Sequence, residues 1–268
     1  MKKINNITAA LRELNLWMKV FWSLFAVMIA FFISLAISPV HKMKNFEDLV
    51  RSDTLFFDSF DGIYDHPQMR PLVKEKIFKE ALLKLAESDS IQMVVDLSDS
   101  TVNLSIKGVI IHRTKARKIE TDRFFRKMPL IQQAKVFSSP LNVQSQFATI
   151  VKEPVVVRHA PKDTQEAALN AWMPDTLIQN PAFVCFSVEY GLDLIFEQEE
   201  NPTFHDHWRK FSFYSRLRFQ KAVRAVPDFV LLRKQEYHPT ITMDIPVDDL
   251  RAVYRALPGK ALVVINLR

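Results

Sequence analysis

Residues 91–112 read IQMVVDLSDSTVNLSIKGVIIH, and this stretch decides the class of fold. Val102, Leu104 and Ile106 alternate with Asn103, Ser105 and Lys107, the two-residue period of a strand with one buried face. Apolar runs rich in valine and isoleucine flank it, set off by Ser98-Asp99-Ser100 and by Lys107-Gly108, residues that suit tight turns. Three successive antiparallel strands are expected here.

Upstream, Pro71 opens PLVKEKIFKEALLKLAES. There Leu72, Val73, Ile77, Phe78, Ala81, Leu82 and Leu85 recur at helical spacing, so a helix lays an apolar stripe on the core. Residues 41–68 show no clear period and read as a stalk or an irregular packing segment. Downstream, residues 121–136 suit a short helix, SSPLNVQS (138–145) a loop, and residues 147–158 one or two strands broken at Pro154. DTQEAALNAW (163–172) reads as a helical turn, and AFVCFSVEYGLDLIFEQ (182–198) as two strands about Tyr190-Gly191. A basic aromatic helix is expected over residues 203–226, carrying Arg209, Lys210, Arg216, Arg218, Lys221 and Arg224. FVLLRK (229–234) is a strand candidate. Val247 to Leu257 reads as a helix opened by Pro246, with Asp248 and Asp249 in the first turn, where the helix dipole favours them. After Pro258-Gly259, KALVVINL (260–267) is a final buried strand. The class is α+β, mainly β with helices.

Composition narrows the chemistry. The 268 residues carry 36 Lys+Arg against 30 Asp+Glu, a formal charge of +6 without a run of five like charges, so nucleic acid is not an expected partner. Only 4 glycines are present, and neither a dinucleotide fingerprint nor a phosphate loop can be written from them. The single Cys185 excludes an internal disulfide and a cysteine-based zinc cluster. No metal or cofactor is expected.

Val20 to Val40, VFWSLFAVMIAFFISLAISPV, is 21 residues without a charge. About 20 helical residues at 1.5 Å each cross a ~30 Å hydrocarbon core, so one transmembrane helix is expected over residues 20–40. A cleaved secretory signal is the competing reading, but its apolar region is usually only about 7–15 residues long. Lys2, Lys3, Arg12 and Lys19 precede the span, Lys42 and Lys44 follow it, and the positive-inside rule puts residues 1–19 in the cytoplasm. Residues 41–89 then form a juxtamembrane stalk and helix, and residues 90–268 a folded domain outside the cytoplasm.

Two separated stretches carry a family resemblance. Val94-Val95-Asp96-Leu97 with the Lys107-Gly108 turn, and Asp248-Asp249-Leu250 through Val253-Tyr254, Leu257-Pro258-Gly259-Lys260 and Leu262-Val263-Val264-Ile265, are similar to the opening and closing patterns of the L,D-transpeptidase (YkuD-like) catalytic domain. The resemblance implies a β-sandwich domain at the periplasmic side of a bacterial inner membrane and, in active members, acyl transfer on peptidoglycan stem peptides through a cysteine thiolate.

That family places a Ser/Thr-His-Gly-Cys-Ile/Val-Arg/Asn-Met/Leu signature just before the closing helix. Here the same place reads Tyr237-His238-Pro239-Thr240-Ile241-Thr242-Met243. His238, Ile241 and Met243 fall in register, while Pro239 stands at the glycine position, Thr240 at the nucleophile and Thr242 at the arginine. The family's upstream histidine would fall in Gly191-Leu192-Asp193-Leu194-Ile195-Phe196, which has none, and its Thr-Pro segment is matched only by Ala160-Pro161-Lys162-Asp163-Thr164. An insertion is expected at about 199–236, its basic helix covering the cleft.

A threonine hydroxyl has no ionised fraction at neutral pH and needs a well-placed base, unlike a thiol near pKa ~8.5. His238 and Thr240 are two apart and share one face of an extended strand. His205 and His207 are the other imidazoles available as a base, though alternate residues do not share a helix face. Cys185, between Val184 and Phe186, reads as a buried hydrophobe. The expected function is a catalytically inactive member that binds peptidoglycan or an envelope protein, with His238, Thr240, Met243, Arg209 and Arg216 as binding residues. The alternative is residual acyl transfer or hydrolysis by Thr240 or Cys185.

Overall fold

The computed structural model describes residues 2–53, 68–152, 181–198 and 204–267. The strand expected around Pro154, the turn at 163–172 and the Ala160–Thr164 match lie outside the described residues. The chain divides into two compact units, residues 1–49 with 218–237, and residues 50–217 with 238–268.

The larger unit is built on one mixed sheet of nine strands. In chain order these are β1 (Gln92–Asp96), β2 (Thr101–Ile106), β3 (Val109–Lys115), β4 (Lys118–Thr121), β5 (Leu141–Ala148), β6 (Phe183–Val188), β7 (Leu192–Gln198), β8 (Thr240–Ile245) and β9 (Leu262–Asn266). Their spatial order is β3-β2-β1-β9-β5-β6-β7-β8-β4. The first three strands form the expected antiparallel meander. Elsewhere the sheet is mixed, because β1 pairs parallel to β9 and β7 parallel to β8. Adjacent parallel strands cannot be joined by a hairpin and need a long crossover. The connection between β7 and β8 is that crossover, and it contains the stretch of about 199–236 read as an insertion.

Helices cover both faces. In α2 (Arg70–Ala86), Val73, Ile77, Ala81 and Leu85 are buried, and the last two pack on Val94 of β1 and Val264 of β9. Leu72 of the predicted stripe is exposed, since it lies off that line. Residues 121–136 hold two short helices rather than one, α3 (Arg123–Lys127) and α4 (Leu130–Phe137). Asp122 caps the first by accepting the Phe124 N–H at 3.0 Å, and Pro129 forces the break. Across β6 and β7, even-numbered Phe186 and Phe196 point to one face and odd-numbered Cys185 and Ile195 to the other. The first face receives α6 (Val247–Ala256), whose Tyr254 ring stands 6.2 Å from Phe186. The second receives the beginning of α5 (Phe204–Val230), through Phe213 and Leu217. Full burial of a side chain like Phe186 contributes roughly 1.5–3 kcal/mol.

Two local expectations fail for reasons visible in the packing. Strand β2 is buried on both faces, because Asn103 and Ser105 are covered as well as Val102 and Leu104. Asn103 is accommodated by accepting a hydrogen bond from Arg113 Nε at 3.1 Å. The 138–145 stretch, read as a loop, supplies the start of β5, since Leu141 and Val143 are buried while Asn142 and Gln144 face out.

The smaller unit pairs α1 (Lys2–Ser52) with the end of α5. Helix α1 is long and apolar enough to cross a membrane. From residue 41 to Ser52 the chain is helical rather than irregular, because the helix runs on through Pro39. Proline has no N–H for the carbonyl of Leu35, and the Ser38 hydroxyl donates to that carbonyl at 2.7 Å instead. The strand expected at 229–234 is also corrected, as Phe229 and Val230 are the last residues of α5.

Candidate functional site

The parallel pairing of β7 with β8 assembles one face of the sheet. Asp193 stands across from Thr240, Ile195 from Thr242 and Glu197 from Asp244. On the other side of β7, Ser187 stands across from Asp193 and Cys185 from Ile195. Because side chains alternate, Ser187, Asp193, Thr240, Thr242, Glu197 and Asp244 share this face, and Ile241, Met243 and Ile245 point into the core behind it.

At one end sits a buried carboxylate. Asp193 is 1% exposed, and its Oδ1 accepts the Ser187 hydroxyl at 2.7 Å. His238, just before β8 and partly exposed, directs Nδ1 to the same Oδ1 at 3.9 Å. The Asp193 N–H donates to the Pro239 carbonyl at 3.0 Å, which fixes the approach of the Tyr237-His238-Pro239 segment to β7.

At the other end the first half of α5 lies across the strands. Tyr214 donates its hydroxyl to Glu197 Oε1, and Lys210 donates to Glu197 Oε2. Tyr214 also hydrogen-bonds Thr242. Burial and the adjacent Glu197 carboxylate hold the Tyr214 phenol well above its ordinary value, so it remains a donor. Burial, with Glu197 nearby, also raises the Asp244 carboxyl. On edge strand β4, Lys118 bonds Glu120 at 2.6 Å, raising the lysine and lowering the carboxyl.

The sequence-derived candidates are thus dispersed. Thr240 and Thr242 lie on one face of β8, with Thr242 under Tyr214, and His238 precedes the strand. Met243, expected to bind, is 1% exposed and packs in the core, so it cannot touch a ligand on this face. Cys185 is buried with Phe183, Ile195, Phe213 and Leu217, a setting that suits a hydrophobe rather than a nucleophile. Arg216 holds its guanidinium 5.5 Å from the Phe147 ring, and Arg209 is half-buried on α5. His207 is exposed, and the side chain of His205 lies outside the described residues.

No family model, curated protein or solved structure matches this chain. What the face can do therefore rests on its own groups. A nucleophilic hydroxyl must pass its proton to a base near neutral pKa. Opposite Thr240 stands the Asp193 carboxylate, which accepts a hydrogen bond from the Ser187 hydroxyl. Among the described residues no group of three or more His, Cys, Asp and Glu side chains is placed to hold a metal ion.

Sequence reasoning missed the Ser187–Asp193 pair and the Glu197–Tyr214–Lys210 network, because both depend on strand register and helix docking rather than spacing. It also missed a cavity of about 1170 Å³ at the carboxyl ends of the parallel strands β1 and β9. Its walls include Arg70, Lys74, Phe78, Phe125, Arg126 and Leu130, and burial with the Arg70 charge lowers the Lys74 ammonium.

Proposed function

We propose that this chain is a membrane-anchored envelope protein whose carboxyl-terminal domain lies outside the cytoplasm, is L,D-transpeptidase-like, and binds without catalysing acyl transfer. The ligand is a peptidoglycan stem peptide or an envelope protein received at the His238–Thr240 end of the β8 face. The observation that carries this reading is the Asp193 carboxylate opposite Thr240, bonded by Ser187, where a working member would need an imidazole poised on a thiol. The closing of Thr242 under Tyr214 supports it, since α5 occupies part of the surface an acyl acceptor would cross. The anchor reading is supported by the length and apolarity of α1 and by the lysines and arginine before it.

The test is binding and turnover on one sample. Full-length protein in detergent micelles is titrated with a stem tetrapeptide and with purified sacculi, and the products are followed by mass spectrometry. Saturable binding weakened by His238→Ala, with no cross-linked or hydrolysed product, is the expected result. Turnover abolished by Thr240→Ala would overturn the reading.

A further inference from the structure

The end of α5 carries apolar side chains that nothing in its own unit covers. Phe219, Val223, Val226 and Val230 recur at helical spacing and are all exposed, as are Leu231 and Leu232 beyond them. Leu232 is 92% exposed and has φ of 54°, the left-handed region that glycine normally fills at a helix end. The cap is otherwise complete, because Arg233 N–H donates to the Asp228 carbonyl at 2.7 Å and Leu232 N–H to the Phe229 carbonyl at 3.1 Å. These bonds satisfy carbonyls that an apolar medium would leave without a partner. A leucine held at the apex of such a turn is unfavourable in water and suits a lipid environment.

The same unit sets the depth of this apex. Phe229 packs edge-on against Phe31 of α1 at 5.3 Å, and Glu236, on the returning chain, stands 3.8 Å from Lys42. Phe31 lies inside the uncharged run, nine residues before Val40, roughly 14 Å at 1.5 Å per residue. Lys42 is just beyond that run. The chain therefore descends to Phe31 and climbs back to the charged end of the span, an excursion similar to or somewhat deeper than the ~5–10 Å to which interfacial helices bury their apolar face.

Charge follows the same axis. Arg218, Lys221 and Arg224 precede the tip, and Arg233 and Lys234 follow it, where long aliphatic stems let the cations reach the headgroups. From Ala225 to Leu232 the one charged residue is Asp228. It is two positions from both Val226 and Val230 and so on the opposite side of the helix from them.

We propose that residues Val226 to Leu232 form a second membrane contact, seated at the acyl-chain boundary of the leaflet through which α1 leaves the bilayer, with Arg233 and Lys234 on anionic headgroups. The inference rests on the anchor reading of α1. Lipid is the occupant because the apex is joined to a residue within the span, and a spanning α1 would carry it into the bilayer.

Full-length protein with Cys185→Ser and a single Leu232→Cys change, labelled with a small fluorophore, is reconstituted in vesicles of phosphatidylcholine with a minority of phosphatidylglycerol. A second sample carries the label through Ile29→Cys in α1. Quenching is read with aqueous iodide and with lipids bearing a nitroxide high on the acyl chain. The expected result is lipid quenching and loss of iodide quenching at both sites. Lipid quenching at position 29 with iodide quenching at 232 overturns the second contact and leaves the anchor standing. Iodide quenching at both overturns both. Protection of 232 from both quenchers means that another protein or a second copy covers the tip, which also overturns the proposal.

Discussion

Asp193 stands directly across from Thr240 in the parallel pairing of β7 with β8, and its Oδ1 accepts the Ser187 hydroxyl at 2.7 Å. The carboxylate organises its surroundings. Its side chain is tied to β6 through Ser187, and the N–H of the same residue donates to the Pro239 carbonyl, which ties the His238 segment to β7. This is the face proposed above to bind the ligand.

Removing the donor to this carboxylate exposes its structural worth. Ser187→Ala leaves a buried carboxylate oxygen without its hydroxyl donor, and a loss of about 1–3 kcal/mol is expected. Urea denaturation of the wild type and variant reads it. An unchanged midpoint would show that solvent or a neighbour replaces the hydroxyl without cost.

Tyr214→Phe removes one hydroxyl from both Glu197 and Thr242 while keeping the ring on Phe213, whose centroid is 5.6 Å away. Hydrogen bonds to charged groups contribute roughly 1.5–3 kcal/mol, and the variant is expected to lose stability in that range. The raised phenol adds a sign. Its neutral form is favoured in the fold, so its contribution is complete below the ordinary tyrosine value of 10.0 and falls as pH rises above it. The difference between wild type and variant should therefore narrow in alkaline denaturation curves.

Asp244 behaves in the same sense at acid pH. Its raised carboxyl means that the folded state holds a proton more readily than the unfolded state, so stability is complete below the ordinary 3.8 and declines as pH rises past it. Asp244→Asn is expected to raise the melting temperature at neutral pH, with the gain vanishing in strongly acidic buffer. A gain that persists in acid would place its origin elsewhere.

Cys185 should be chemically silent while the protein is folded, because it is 1% exposed beneath Phe213. Maleimide labelling is expected only after denaturant is added. Phe213→Ala, which empties the space between Phe147 and Phe183, is expected to cost about 3–5 kcal/mol and to open the thiol to the reagent.

Local periodicity carried much of the fold. The meander β1 to β3, the pair β6–β7, the terminal strand β9 and helices α2, α5 and α6 each announce themselves within a dozen residues or so of sequence. What stayed illegible is non-local. The parallel pairings of β9 with β1 and β8 with β7 join residues far apart in sequence, and no spacing rule predicts them. FVLLRK misled because a short apolar run has no period that separates a strand from a helix end. Pro39 misled because its lost bond is replaced by Ser38, a side-chain detail. At the site, the shared face of Thr240 and Thr242 follows from alternation, but the partners Asp193, Ser187 and Tyr214 come from register and from α5.

The most direct measurement is intact mass spectrometry of the full-length protein after incubation with a stem tetrapeptide, followed by peptide mapping across residues 237–245. An unmodified chain and unaltered peptide are expected. An acyl adduct on Thr240, absent from Thr240→Ala, would contradict it.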